Sequence, residues 1–268
     1  MISLIDHIPI LPVQDSAQPW GVIILAFVVG TCLGSFAQAA GLRLNRGEDI
    51  VRAPSRCRNC ERTLSWRDNL PLIGWLKSMG RCVGCGHGFS PMYMLVELAM
   101  GMVTAMLVAW LSLPVAVALT VGVLLMMVCA VTDLDEMLLH LPVMGLLGGA
   151  GLLLSFLPFW PVAPSTSLMG MAAVVALITV INGVYMLLRG ETGFGSGDYW
   201  LLGAVGLWLG PVLSVVLFFA ASIIGALVGI AMIIRKNGSG QTALPFGIFI
   251  SLVFICWPIL YILVIVTN

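Results

Sequence analysis

Two aspartates stand where an apolar chain ought to reject them. Asp133 lies in Val131-Thr132-Asp133-Leu134-Asp135, directly after about twenty apolar residues. Asp198 closes Gly193-Phe194-Gly195-Ser196-Gly197-Asp198, directly before another apolar run. Ionisable groups at membrane depth are costly and mark function by default. Two carboxyls brought within hydrogen-bonding distance do not both ionise easily, so one holds a proton and the pair works as acid and base on a shared water. Such a pair hydrolyses a peptide bond with neither metal nor covalent intermediate.

The neighbours sort by position. Asp135 and Glu136 compete with Asp133 for the first acid. On a continuous helix Asp135 points about 200° away from Asp133, and Asp133 is nearer the apolar run. Gly193, Gly195 and Gly197 let the backbone unwind and give an extended substrate room beside Asp198. Glu97 sits inside an apolar run, spaced as a packing or hydrogen-bonding partner, and His140 is a further polar group close to the first acid.

A second constellation is Cys57-Arg58-Asn59-Cys60 and Cys82-Val83-Gly84-Cys85, two CxxC pairs with twenty-one residues between them. In an oxidising compartment this spacing is compatible with disulfides; in the cytosol it suits tetrahedral zinc. Four thiolates around Zn²⁺ leave a charge of about −2, and Arg56, Arg58, Arg62 and Arg81 stand near in sequence to offset it. A four-sulfur site has no open position, so this zinc is expected to be structural. Cys32, Cys129 and Cys256 fall in apolar runs and read as small core residues.

The elements that must position these groups are membrane helices. The chain has 268 residues, 60% hydrophobic and 9% charged, with mean hydropathy +1.09. A soluble domain carries about 25% charged residues. The composition therefore predicts an all-α polytopic membrane protein. About eight transmembrane helices are expected, near 20–40, 92–111, 113–132, 138–158, 167–188, 199–210, 211–234 and 246–266. The split at Gly210-Pro211 is expected because Tyr199 to Ile234 is too long for one crossing and Pro suits a helix start. Leu70 to Leu76 is too short to span and is expected to lie against the membrane face. Gly170, Gly225, Gly229 and the run Gly148 to Gly151 read as close helix packing. No internal repeat is evident.

Nine of the twelve Lys and Arg lie between Arg43 and Arg81; the others are Arg189, Arg235 and Lys236. With the N-terminus outside, eight spans put every basic residue on the cytoplasmic side, as the positive-inside rule requires. The C-terminus is then also outside, and Asp133 and Asp198 share the cytoplasmic membrane surface. The expected organisation is 1–40 as N-terminus and first span, 41–91 as a small cytoplasmic zinc-binding loop domain, and 92–268 as the transmembrane core. The first twenty residues carry no Lys or Arg, which argues against a signal peptide. Ion or proton transport and a zinc-loop membrane adaptor are the rival function classes; nothing points to nucleic acid.

Together these residues resemble the bacterial type IV prepilin peptidases, aspartic membrane proteases of the GxGD type that are also N-methyltransferases. The likeness runs from Gly34-Ser35-Phe36 through Arg52-Ala53-Pro54-Ser55-Arg56-Cys57, Trp66 to Pro71, Gly80 to Gly86 and Tyr93 to Leu98. Asp133-Leu134-Asp135, Gly195-Ser196-Gly197-Asp198 and Pro245-Phe246-Gly247 complete it. It departs at His140-Leu141-Pro142, where the family has Leu-Pro-Asp, at Ile248, where it has Pro, and at Ala37-Gln38, where it has Leu-Asn. The resemblance implies Asp133 and Asp198 as the catalytic pair and zinc on the four cysteines. It also implies S-adenosylmethionine as methyl donor and type IV prepilins or secretion pseudopilins as substrates. The expected location is the bacterial inner membrane, among its lipids. A basic leader followed by an apolar helix puts the scissile bond at the cytoplasmic interface, at the depth expected for the acids. Glu136 and Glu191 are placed to attract such a leader.

Overall fold

The computed structural model describes residues 11–13, 18–235 and 244–267; Lys236 and both chain ends lie outside the described residues. Among these residues the structure is helical, with isolated β-bridges and no strand. The elements are α1 (Trp20–Asn45), α2 (Ile73–Ser78), α3 (Met92–Trp110), α4 (Leu113–Glu136), α5 (Leu141–Leu154), α6 (Pro164–Arg189), α7 (Ser196–Ile234) and α8 (Phe246–Thr267). Six of them, α1, α3, α4, α6, α7 and α8, are long and apolar enough to cross a membrane.

Two expected spans take a particular form. The stretch 138–158 condenses to α5, an apolar helix of 14 residues, shorter than the roughly 20 a crossing needs. Its start is delayed because Met137 adopts φ 55° and the chain stays extended to His140. The 39 residues of α7 would reach about 58 Å as one rod, twice a bilayer core. The helix is interrupted at Gly210, with φ 73° and ψ −178°. Only glycine adopts that φ without strain, and the extended ψ is what a following proline imposes. The boundary expected at Gly210-Pro211 is therefore where the chain breaks.

The chain divides at Val131–Thr132 into two compact units. In the Val13–Val131 unit, α1 packs on α3 through Gly30 and Gly34. A Cβ on Gly30 would lie 2.6 Å from the Met100 carbonyl oxygen, and one on Gly34 2.9 Å from the Glu97 Cα. This small-xxx-small stripe lets two backbones approach as closely as in membrane helix pairs. The loop from α1 to α3 carries the cysteines and the short α2, whose Ile73 and Leu76 are exposed.

The other unit, built from Thr132 onward with Leu11 and Pro12, is centred on the first half of α7. Residues 201–210 are buried without interruption. Trp208 donates from its indole to the Leu147 carbonyl at 2.7 Å and meets Trp160 and Phe254 edge-on. Ser167 donates to the Leu207 carbonyl at 2.6 Å. Satisfying these polar atoms inside an apolar core fixes the rotation of α7 about its axis, and so the direction in which Asp198 projects.

Candidate active site and metal centre

Asp133 is in the last turn of α4 and is buried, at 4% exposure. Its Oδ2 accepts the Ile248 amide at 2.9 Å, and the Gly247 amide also faces the carboxyl. Those donors are free because they belong to the first turn of α8, where backbone N–H groups have no intrahelical partner. A Cβ on Gly247 would lie 2.9 Å from Asp133 Oδ2, so any larger residue there would have to push the carboxyl aside.

Asp198 is the third residue of α7. Its Oδ2 accepts the Gly195 amide at 3.0 Å, closing the helix start from inside. A carboxylate here is favoured by the exposed amides and the helix dipole. The two carboxyls are near enough for their charges to interact. Leu139 joins the two acids' neighbourhoods: it would touch a Cβ on Gly197 at 3.0 Å and one on Gly247 at 3.1 Å.

The glycines divide by role. Gly193 and Gly195 lie in non-helical backbone, whereas Gly197 is already in the first turn of α7. Gly197 makes room for Leu139 rather than unwinding the chain. Gly195 has ordinary φ and its Cβ would meet only Asp198 Oδ2 at 3.6 Å, so its contribution is the amide. Asp135, Glu136 and Glu191 are exposed, and His140 is half-buried at the position preceding α5. Glu97 is buried, and its Oε2 accepts the Leu72 amide at 2.7 Å, the hydrogen-bonding part expected of it. Leu72 has φ 61°, so this bond helps hold a backbone conformation that a leucine rarely adopts.

Sequence reasoning passed over Leu139 and the amides of Gly247 and Ile248. The motif Pro245-Phe246-Gly247 was a marker of likeness only, with no chemistry attached. It also missed a symmetry in the cysteine loop, where no repeat was evident. Residues twenty-five positions apart make the same bonds: Cys57 and Cys82 amides donate to the Arg62 and His87 carbonyls at 2.9 and 2.8 Å. Glu61 and Gly86 donate back to the Cys57 and Cys82 carbonyls, and both adopt positive φ. The bridges Arg56–Thr63 and Arg81–Gly88 close the two knuckles identically. The side chains hide this, because only Arg56/Arg81 and the cysteines are shared between the two stretches.

The four sulfurs lie within 4.8 Å of one another, with Cys57–Cys85 at 3.8 Å and Cys60–Cys82 at 3.9 Å. A tetrahedron with Zn–S bonds of about 2.3 Å has S–S edges of about 3.8 Å, so the donor set fits zinc. The Asn59 and Cys60 amides hold the Cys57 thiol below its ordinary pKa, and the His87 amide and Asn59 side chain do the same for Cys85. At Cys60 the Arg62 amide is outweighed by Cys85, burial and the other two thiols, which together push it up to about 11. Arg62 lies across Gly84 of the opposite knuckle, where its charge offsets the thiolates.

Residues 28–111 match the Bacterial Peptidase A24 N-terminal domain, and residues 120–230 match the Type IV leader peptidase family. The chain is similar to the prepilin leader peptidase/N-methyltransferase of Myxococcus xanthus, 36% identical over 81% of this chain and 65% of that one. The protein of the same name from Aeromonas hydrophila is 30% identical over 87% of this chain and 89% of its own. The one from Bacillus subtilis is 31% identical over 83% and 88%. No solved structure matches.

Proposed function

Because the chain belongs to the type IV leader peptidase family, we propose that it removes the leader of type IV prepilins or pseudopilins and then N-methylates the new amino terminus. The observation that supports the protease reading is that Leu139 lies against both Gly197, beside Asp198, and Gly247, against Asp133, while each acid is steadied by a backbone amide. In this reading the ionised carboxyl takes a proton from water while the protonated one gives its proton to the scissile carbonyl oxygen. Oxygen adds to the carbonyl carbon, and the tetrahedral intermediate collapses with proton transfer to the departing amine. The products are the leader's carboxylate and a free N-terminal amine. The test is release of the leader from a synthetic prepilin by the purified protein in detergent. An unchanged substrate sinks the reading.

The enzyme is an integral membrane protein on its helices. The basic-residue pattern supports periplasmic termini with the cysteine loop and both acids at the cytoplasmic face of the inner membrane; in this topology the 14-residue α5 and the non-helical residues flanking it complete one crossing. The expected division at 41–91 treats that loop as a zinc domain, followed by the protease core of 92–268. Gly247→Ala tests the site's geometry. Its methyl must displace the Asp133 carboxylate, and misplacement of that order costs about 100-fold in kcat. Gly195→Ala keeps its amide and is expected to stay close to wild type, as initial rates on one prepilin will read.

The methyl-transfer half rests on the relatives' names and on a cavity. A space of about 720 Å³ lies in the Val13–Val131 unit, lined by Glu97, Trp75, Tyr93, Gln38, Arg43 and Arg81 among others. That size suits a small-molecule site. Trp75 forms part of the wall, with its indole N–H shielded from the cavity where the ring packs on Gly80. S-adenosylmethionine would supply the methyl group. Trp75 would pack against it, arginines would take its carboxylate and Glu97 would face its positive charge. Trp75→Ala, which removes the ring from the cavity wall, is expected to weaken S-adenosylhomocysteine binding by about tenfold, the worth of a lost aromatic contact, in calorimetry. Leader removal should be unaffected.

A further inference from the structure

Asp198 is bracketed by one side chain that no motif includes. Asn182 lies in α6, one helical stretch before the loop that returns to α7. Its Oδ1 accepts the Gly193 amide at 2.7 Å and the Phe194 amide at 3.3 Å. Its Nδ2 donates to the Tyr199 hydroxyl at 3.0 Å. Two N–H donors on one side require the amide oxygen there, so the nitrogen must face Tyr199. The same group therefore holds the loop entering the acid and the residue that follows it.

The consequences run in both directions. With its amide fixed, Phe194 sets its ring 5.9 Å from Phe218 and 5.4 Å from Phe246. The next residue, Gly195, supplies the amide bound by Asp198. Phe246 immediately precedes Gly247 and Ile248, whose amides face Asp133. The Phe194 ring thus joins the loop of one acid to the support of the other. Every glycine in Gly193-Phe194-Gly195 would relax without an external tether, because glycine gains the most conformational freedom when released.

We propose that Asn182 is a positioning residue for the acid pair: it holds the bend at Gly193-Phe194 and the extended Gly195 in place so that Asp198 is presented to Asp133. The inference rests on the protease reading, and the experiment separates the two. Kinetics on a synthetic prepilin are measured for wild type, Asp198→Asn, Asn182→Leu and Asn182→Asp. Asn182→Leu keeps the shape and loses both hydrogen-bonding functions. Asn182→Asp keeps the acceptor for both loop amides and lets the Tyr199 hydroxyl donate instead. The expected result is a fall in kcat of about 100-fold for Asn182→Leu, with KM within about twofold because substrate binding is untouched. Asn182→Asp should recover at least about tenfold of that loss. Asn182→Ala, which only deletes atoms, replaces the Leu variant if that one does not fold. Wild-type kcat in the Leu or Ala variant, or equal impairment in the Asp variant, overturns the positioning role while cleavage by wild type keeps the protease reading. Absence of wild-type cleavage overturns both.

Discussion

Asp133→Asn and Asp198→Asn are each expected to lower prepilin cleavage by about 10²- to 10⁴-fold, the scale of a lost general acid or base. The substitutions are chosen because they change little else. Asparagine keeps a side-chain oxygen, so the Ile248 amide and the Gly195 amide both retain an acceptor. Shape and burial are likewise kept at a position with 4% exposure. What disappears is the ability to exchange a proton with water or substrate. The double variant should be no worse than either single one, because the two carboxyls act as one unit. Asp135→Asn should cleave normally, since Asp135 is exposed on the other side of the α4 turn. The leader fragment is counted by mass spectrometry on detergent-purified protein. Full cleavage by both single variants excludes the acid pair, and ion transport or partner docking then become the better readings.

Much of this site is legible before any fold is known, and the reason is local. A carboxyl at the end of an apolar run announces itself, as Asp133 and Asp198 do. The two CxxC pairs do the same by spacing, and Pro211 marks the break that the Gly210 backbone makes. The remainder depends on pairs that no local pattern encodes. Ile248 and Asp133 are 115 residues apart, and Gly247 matters only because a carboxylate approaches it. Leu139 looks like one more apolar residue until Gly197 and Gly247 are seen on either side of it. Asn182 reads as an incidental polar residue within an apolar helix. The cysteine loop hides its two-fold likeness because its turns are made by backbone bonds, which Glu61 and Gly86 satisfy with unlike side chains. The late start of α5 escaped the hydropathy pattern because the positive φ of Met137 delays the helix, and that is a property of the turn.

The largest expected effect outside the acid pair is on metal. Between residues 42 and 91 the buried residues are Cys57, Gly74, Gly80 and Cys82. Two glycines bury almost no side chain, so the cysteines are the core of this loop. Below about 40 residues chains usually need a metal or disulfides to hold a fold, and a loop of this size with no other apolar core is in the same position. Structural zinc in small domains contributes on the order of 10 kcal/mol, far more than the remaining contacts supply. Cys57→Ser and Cys82→Ser are therefore expected to drop zinc from about one per chain to near zero. Cys32→Ser, at an exposed helical position, should keep it. The loop should then be cut by trypsin at Arg56, Arg58 and Arg62, which the intact knuckles protect. Chelation of the wild type should reproduce the digestion pattern, and adding zinc should reverse it. The cavity wall includes Cys57 and Cys82, so S-adenosylhomocysteine binding should be lost along with the metal. The acid pair belongs to the unit that begins at Thr132, and none of its amide donors comes from the loop. Leader cleavage should therefore survive zinc loss to within about tenfold, far from the loss expected of an Asp→Asn change. If zinc stays bound to Cys57→Ser, the tetracysteine site is wrong. If cleavage falls as far as it does in Asp133→Asn, the loop serves the protease as well as the methyl transfer.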